Sequence, residues 1–330
     1  MQHRTLGQQG LRVSALGLGV MGMTMAYGPS RDEDGISTIR RAHQLGVDFF
    51  DTAELYGQGT GSNETLLGNA VEGFRDEVVL ATKFGFDMTS ETPGRGVNSR
   101  PENIRRVAEN SLRYLRTDRI DLFYQHISDP DVPADEVAGT VGELMAEGKV
   151  RYFGLSNVGS QYIRRAHAVT PVTALQYEYS LFEREVEDEI LPVLRELGIG
   201  LVPYSPLGRG FLSGVVKPAD EYPEGDMRRW DERWQGENYA YNLNAAEQLR
   251  KLAATKSITP AQLALAWLLA QGEDVVPIPG TRSAVRLEEN AGAASMTLDE
   301  ADLARVREIL PQGSAGARYP ASIMAGFRTD

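Results

Sequence analysis

Eight short apolar segments, most of them followed by a helical pattern, predict an α/β chain whose strands are all parallel. Eight is the number that closes a sheet into a barrel with a filled interior, so a (β/α)8 barrel of the TIM type is expected. No composition break marks a domain boundary, and residues 1–330 are read as one domain. A doubly wound open sheet is the rival arrangement.

The elements follow in order. Arg4-Thr5-Leu6 and Leu11-Arg12-Val13 flank Gly7-Gln8-Gln9-Gly10, the pattern of a short N-terminal β-hairpin. The barrel strands are expected at Ala15–Gly19, Phe49–Asp51, Val78–Lys83, Ile120–Gln125, Tyr152–Ser156, Ala174–Tyr177, Gly200–Tyr204 and Val275–Ile278. Helical patterns lie between them. Thr38–Leu45 stops at Gly46, Val186–Leu197 stops at Gly198, and Pro260–Leu269 ends near Gly272. Pro101 opens a helix to Leu115, where a first-turn proline costs no hydrogen bond. From Val216 to Asn242 neither period holds, and two of the chain's three tryptophans, Trp230 and Trp234, fall there. A long aromatic-rich loop after the seventh strand is read as a lid over a ligand, with a packed excursion as the alternative.

Composition narrows the function. The hydrophobic fraction is 42% and the charged fraction 24%, which are globular values. No apolar run reaches spanning length, and no leader-like segment follows Met1, so a cytoplasmic protein without a membrane partner is expected. A net charge of −12 argues against nucleic acid. The chain has no cysteine, and its histidines at 3, 43, 126 and 167 are too scattered for a metal cage. No metal is expected.

Chemistry concentrates at strand ends. Asp51 ends the second expected strand and leads through Thr52-Ala53-Glu54-Leu55 to Tyr56. Lys83 ends the third, and His126 follows the fourth. In parallel barrels these ends share one mouth. Singly, each residue has an ordinary explanation: a capping Asp, a packed Tyr, a snorkelling Lys, a core His. Together they form a set that delivers a proton to a carbonyl oxygen. A tyrosine titrates near pH 10, and the Lys83 ammonium, kept charged by Asp51, is expected to lower that by roughly 1–3 units. His126 is placed to hydrogen-bond the same oxygen.

These motifs resemble the aldo-keto reductase family over nearly the whole chain. Asp51-Thr52-Ala53-Glu54-Leu55-Tyr56-Gly57, Thr82-Lys83 and Tyr124-Gln125-His126 match its Asp, Tyr, Lys, His tetrad. The resemblance implies reduction of a small aldehyde or ketone by hydride from NADPH, with Tyr56 as general acid. It implies that Ser156, Asn157 and Gln176 hold the carboxamide and that Tyr204 stacks on the nicotinamide. Ser205, Pro206, Leu207, Gly208, Gly210 and Leu212 would follow the pyrophosphate. Gly280, Thr281, Arg282 and Arg286 would take the 2′-phosphate end, with Glu289 and Asn290 on the adenine. Met21 and Gly22 lie on the first loop, near cofactor and substrate, and Asp51 borders both. Two arginines within five positions are a local anomaly in an acidic chain, and Arg suits phosphate.

Gly17-Leu18-Gly19-Val20-Met21-Gly22 is a literal G-x-G-x-x-G, but Gly28-Pro29 interrupts the helix that a dinucleotide fingerprint must open. A Schiff-base lyase through Lys83, or a hydrolase through Asp51 and Glu54, is the non-redox alternative. A second alternative is an NADPH-binding, redox-sensing regulatory subunit with little turnover. The intact tetrad permits it, and the lack of a segment before Arg4 counts slightly against it. The tail residues Arg318, Tyr319, Met324 and Phe327 are expected to close over substrate or pack on a neighbour. Oligomeric state and substrate stay open.

Overall fold

Seven parallel strands form one continuous sheet in the computed structural model, which describes residues 1–90 and 92–320. They are β1 (Leu18–Gly19), β2 (Phe49–Asp51), β3 (Val79–Phe84), β4 (Ile120–Gln125), β5 (Val150–Ser156), β6 (Val172–Glu178) and β7 (Gly200–Tyr204). Their order in space is their order in sequence.

The eighth position closes the barrel without forming a regular strand. Leu201 N–H donates to the Asp274 carbonyl, and Val276 and Ile278 donate to Leu201 and Pro203 on β7. On the other side Gly17 donates to Pro277, and Gly19 bridges to Gly280. Pro277 and Pro279 have no N–H to give, so the expected strand Val275–Ile278 is reduced to these alternate bonds. The expected Ala15–Gly19 strand is likewise shorter. Ala15 bonds back to Gln2, and the Ser14 hydroxyl turns onto Leu16, so the ladder starts at Leu18.

The hairpin, His3–Leu6 with Leu11–Ser14, plugs the N-terminal end of the barrel. Its Leu6, Leu11 and Val13 pack with Phe49, Ala81, Leu122, Ala174 and Val202 in the interior. That leaves the opposite end open for chemistry.

Helices surround the sheet: α1 (Asp32–Gln44), α2 (Ser62–Ala70), α3 (Pro101–Leu115), α4 (Ala134–Ala146), α5 (Ser160–Val169), α6 (Ile190–Leu197), α7 (Gly236–Thr255), α8 (Pro260–Leu269), α9 (Ala284–Gly292) and α10 (Glu300–Ile309). α1 starts six residues before the expected Thr38, with Asp32, Glu33 and Asp34 at its positive end. α6 is shorter than Val186–Leu197, because Glu185–Glu187 is a separate 3-10 turn. α8 keeps its expected bounds and begins with a reciprocal Thr259–Gln262 capping box.

The long loop after β7 is more ordered than its sequence suggested. It carries 3-10 turns at Ala219–Glu221, Met227–Arg229 and Glu232–Trp234, then enters α7 at Gly236. Asp226 and Asp231 cap two of these turns through Arg228 N–H and Arg233 N–H. Its Trp234 packs at a tilted angle on Phe211, which also meets Tyr239.

Candidate active site

β2, β3 and β4 are hydrogen-bonded neighbours, with Asp51 opposite Ala81 and Lys83 opposite Tyr124. Their carboxyl ends therefore open at one mouth. Asp51 closes β2, Lys83 lies near the end of β3, and His126 follows β4, its N–H donating to the Phe84 carbonyl at 2.8 Å. Tyr56 comes from the 3-10 turn Glu54–Gly57.

Lys83 is the centre of this group, only 1% exposed. Its Nζ donates to Asp51 Oδ1 at 2.5 Å, to the Thr52 carbonyl at 2.7 Å and to Tyr56 Oη at 3.2 Å. An ammonium has three N–H bonds, and all are spent. Tyr56 Oη thus accepts from Lys83, which leaves its own hydrogen free to turn toward the mouth. The other oxygen of Asp51 accepts from Gln176 Nε2 at 2.7 Å.

Burial dominates the proton affinities. It pushes the Tyr56 phenol well above its ordinary value, and Asp51, Tyr319 and Tyr27 add to that. The expected lowering by the ammonium is therefore outweighed, and the phenol keeps its proton. Burial also lowers Lys83, against the opposing pull of Asp51. It raises Asp51, against the pull of Lys83 and the Gln176 hydrogen bond. His126 is held well below its usual range by burial and then by the Lys83 charge, so its imidazole is neutral. The His126 ring stands edge-on to Tyr56 at 5.7 Å and to Phe86 at 5.0 Å.

Of the residues expected at the cofactor, Gln176 contacts Asp51 directly, and its carbonyl accepts from Asn157 N–H at 3.2 Å. Ser156 ends β5, and Asn157 follows in the left-handed region at φ 55°. Asn157 Nδ2 donates to Ser156 Oγ at 2.8 Å, and Asn157 Oδ1 accepts from the Tyr204 hydroxyl at 3.0 Å. Ser205, Gly208 and Gly210 all have positive φ, and they turn the chain sharply between Tyr204 and Leu212. Met21 and Gly22 form a 3-10 turn after β1, where the Tyr27 ring lies against Gly22. Gly280 packs on the Gly19 backbone. Thr281 Oγ1 accepts from Ser283 N–H at 3.1 Å, and Ser283 caps α9.

The two late arginines separate. Arg286 is exposed in the first turn of α9. Arg282 turns instead onto the first loop, donating to the carbonyls of Tyr27, Gly28 and Pro29 at 3.1, 3.2 and 2.8 Å. Asn290 is buried, and the Glu289 carbonyl accepts from Gln262. The insertion meets the same first loop. Met227 N–H donates to the Ala26 carbonyl at 3.0 Å, and the Arg228 guanidinium stands 5.1 Å from the Tyr27 ring centre. Met324 and Phe327 lie outside the described residues.

Sequence reasoning missed two buried groups. Glu64, on α2, accepts from the Thr82 hydroxyl at 2.6 Å behind Lys83. Glu178, at the end of β6, accepts from Arg209 and Arg233. The signal that could have found it was an acid set among apolar strand residues in Leu175-Gln176-Tyr177-Glu178-Tyr179.

A parallel barrel whose mouth holds a Tyr, Lys, Asp and His in contact is the architecture of a carbonyl oxidoreductase. The chain belongs to the aldo/keto reductase family, whose model matches residues 15–311. It is 47% identical over 324 residues to the probable aldo-keto reductase 1 of Glycine max, covering 97% of this chain and 92% of that protein. It is 43% identical over 314 residues to the NADP(+) aldo-keto reductase yakc of Schizosaccharomyces pombe, covering 93% and 92%. Among solved structures it resembles the glycerol dehydrogenase AKR11B4 of Gluconobacter oxydans, with TM-score 0.86 and 28% identity over 97% of this chain and 98% of that one. The holo aldo-keto reductase AKR11C1 of Bacillus halodurans gives TM-score 0.79 and 27% identity, over 97% and 99%. Among the described residues no helix is long and apolar enough to cross a membrane.

Proposed function

We propose that this oxidoreductase reduces a small aldehyde or ketone to the alcohol with NADPH, and that Tyr56 is the general acid. The observation that carries the reading is the saturated Lys83 ammonium. Its contact with Tyr56 Oη fixes the phenol as an acceptor on one side and a donor on the other.

The donor set fits a dinucleotide. Ser156, Asn157 and Gln176 offer both donors and acceptors for a carboxamide, and the Tyr204 ring, tied to Asn157 through its hydroxyl, would stack beside them. The backbone at Ser205, Gly208 and Gly210 makes a cradle in which a side chain at Gly210 would meet Arg228. Thr281, Arg286 and the N-terminus of α9 suit the 2′-phosphate. Arg282 supports that end by holding the 27–29 loop. The NADP(+) in the name of the S. pombe relative supports the phosphorylated cofactor.

When bound, the nicotinamide supplies hydride to the carbonyl carbon. The protein's part is to manage the oxygen. Neutral His126 donates an N–H to it and orients the carbonyl. Tyr56 passes its proton to the same oxygen as negative charge develops there. Lys83 then stabilises the resulting phenolate, and Asp51 stabilises Lys83.

The test is NADPH consumption with a panel of aldehydes. Tyr56→Phe is expected to lower kcat by about 10²–10⁴ while NADPH still binds. Tight NADPH binding by the wild type with no turnover would favour the redox-sensing alternative. Neither binding nor consumption would refute both.

A further inference from the structure

Three elements at the mouth meet on one guanidinium. Arg209 sits in the loop after β7 with φ 56°, a left-handed conformation that a non-glycine residue adopts at a cost. Its Nη1 donates to Asp231 Oδ2 of the insertion at 2.5 Å. Its Nη2 donates to Glu178 Oε2 of β6 at 3.1 Å and to the Arg318 carbonyl of the tail at 2.6 Å. The guanidinium carbon lies 4.4 Å from the centre of the Tyr319 ring. The Arg209 side chain is 1% exposed and that of Glu178 is fully buried.

The cluster extends without leaving the interior. Arg233 donates to Glu178 Oε1 at 2.8 Å and to Glu183 Oε2 at 2.7 Å. The Arg318 guanidinium covers the Tyr177 ring at 4.6 Å. Three carboxylates and three guanidiniums thus occupy space that apolar side chains fill elsewhere in the barrel. Desolvating so many charges brings little net stability over an apolar core, whereas it does demand one arrangement of its members. The arrangement here fixes the tail. The Tyr319 hydroxyl is hydrogen-bonded with that of Tyr204, and Tyr319 lies close enough to bear electrostatically on the Tyr56 phenol.

We infer that Arg209, acting with Glu178, is a positioning residue for the carbonyl site: it holds Ala317–Tyr319 so that Tyr319 walls the space beside Tyr56 and Tyr204 and selects substrates by size. The inference rests on the reductase reading for its substrate, but not for its geometry. Arg209 touches no reacting atom in this scheme. It acts through the tail, and it ties the tail to the loop proposed to carry the pyrophosphate. The size filter and the cofactor cradle are therefore parts of one rigid unit.

The experiment has two arms. The first measures kcat/KM for a bulky aromatic aldehyde relative to propanal, a ratio that does not depend on the fraction of folded enzyme. Tyr319→Ala is expected to raise it by about tenfold, the scale on which a change in the size of an apolar pocket discriminates between substrates. Arg209→Met and the near-isosteric Glu178→Gln are expected to raise it in the same direction, and Arg209→Met with Tyr319→Ala to go no further than Tyr319→Ala alone. The second arm measures hydrogen exchange of residues 313–320 without substrate, where Arg209→Met should exchange faster than the wild type. A wild-type ratio in both Arg209→Met and Glu178→Gln, additive shifts in the double variant, or unchanged tail protection each overturn the inference. If the wild type reduces no aldehyde, the reductase reading fails, and the exchange arm still decides whether Arg209 positions the tail.

Discussion

Glu64→Gln should make this protein more stable, by an amount that grows as the pH rises from about 5 to about 7 and is constant above. Glu64 is fully buried, and burial raises its carboxyl from the ordinary 4.5 to about 7, with the Ser111 and Thr82 hydroxyls partly opposing. Between those two values the folded state holds a proton that the unfolded chain has released. Stability therefore falls as pH rises through that window, and the full loss is reached above the folded value. The gap between those two values, at about 1.4 kcal/mol per pH unit, corresponds to roughly 3 kcal/mol. Glutamine resembles the protonated acid: it is neutral, its oxygen can accept from Thr82, and its NH₂ would lie beside the Ser111 hydroxyl. Urea unfolding of wild type and variant at pH 5 and pH 8.5 is the assay. The two should nearly coincide at the lower pH, with Glu64→Gln ahead by about 2–3 kcal/mol at the higher. A variant destabilised equally at both would refute the reasoning. It would mean that Glu64 is ionised beside Lys83 and that the ammonium has outweighed burial. The result also bears on catalysis, because a neutral Glu64 leaves Asp51 as the carboxylate that controls Lys83.

Three further outcomes follow from geometry. Arg286→Ala should weaken NADPH binding at least tenfold and NADH binding little, because the missing interaction is a charge contact to the 2′-phosphate; Arg282→Ala should weaken both alike, because its guanidinium holds the 27–29 loop. Titration by cofactor fluorescence separates the two, and equal losses for Arg286→Ala would remove it from the phosphate. Gly154→Ala should cost about 1–3 kcal/mol in thermal or urea unfolding, since a methyl there runs into the Tyr124 ring directly opposite on β4; a neutral result would show that Tyr124, whose other neighbour is the Lys83 ammonium, has room to move.

The Asp51, Tyr56, Lys83 and His126 cluster was readable because its logic is local. Each member ends or follows an apolar run, and parallel strands bring such ends together whatever the intervening helices do. Asp51, Lys83 and His126 needed no knowledge of side-chain packing, only of strand order. The proton state of Tyr56 was not readable in the same way. Sequence places an ammonium beside the phenol and so suggests a lowered pKa, but the balance is set by how completely the mouth is covered, and Tyr27 and Tyr319 arrive from opposite ends of the chain to cover it. The eighth strand shows a different limit. Its apolar pattern is correct and its place in the barrel is correct, yet Pro277 and Pro279 withhold the donors that would have made it regular.

The Arg209 cluster is the sharpest case. Glu178, Arg209, Asp231 and Arg318 stand 140 residues apart from first to last, and nothing in the sequence joins them. Only the closed barrel, which brings β6 and the loop after β7 side by side, places them within one hydrogen-bonding shell. Moving the tail would take the Arg318 carbonyl and the Tyr319 ring from Arg209, while Glu178 and Asp231 would still pair its charge. A family motif is shared because the chemistry is shared, and it is found wherever strands end. What distinguishes one member's pocket is built from residues that become neighbours only after folding, so the reaction was readable at the strand ends while its selectivity was not.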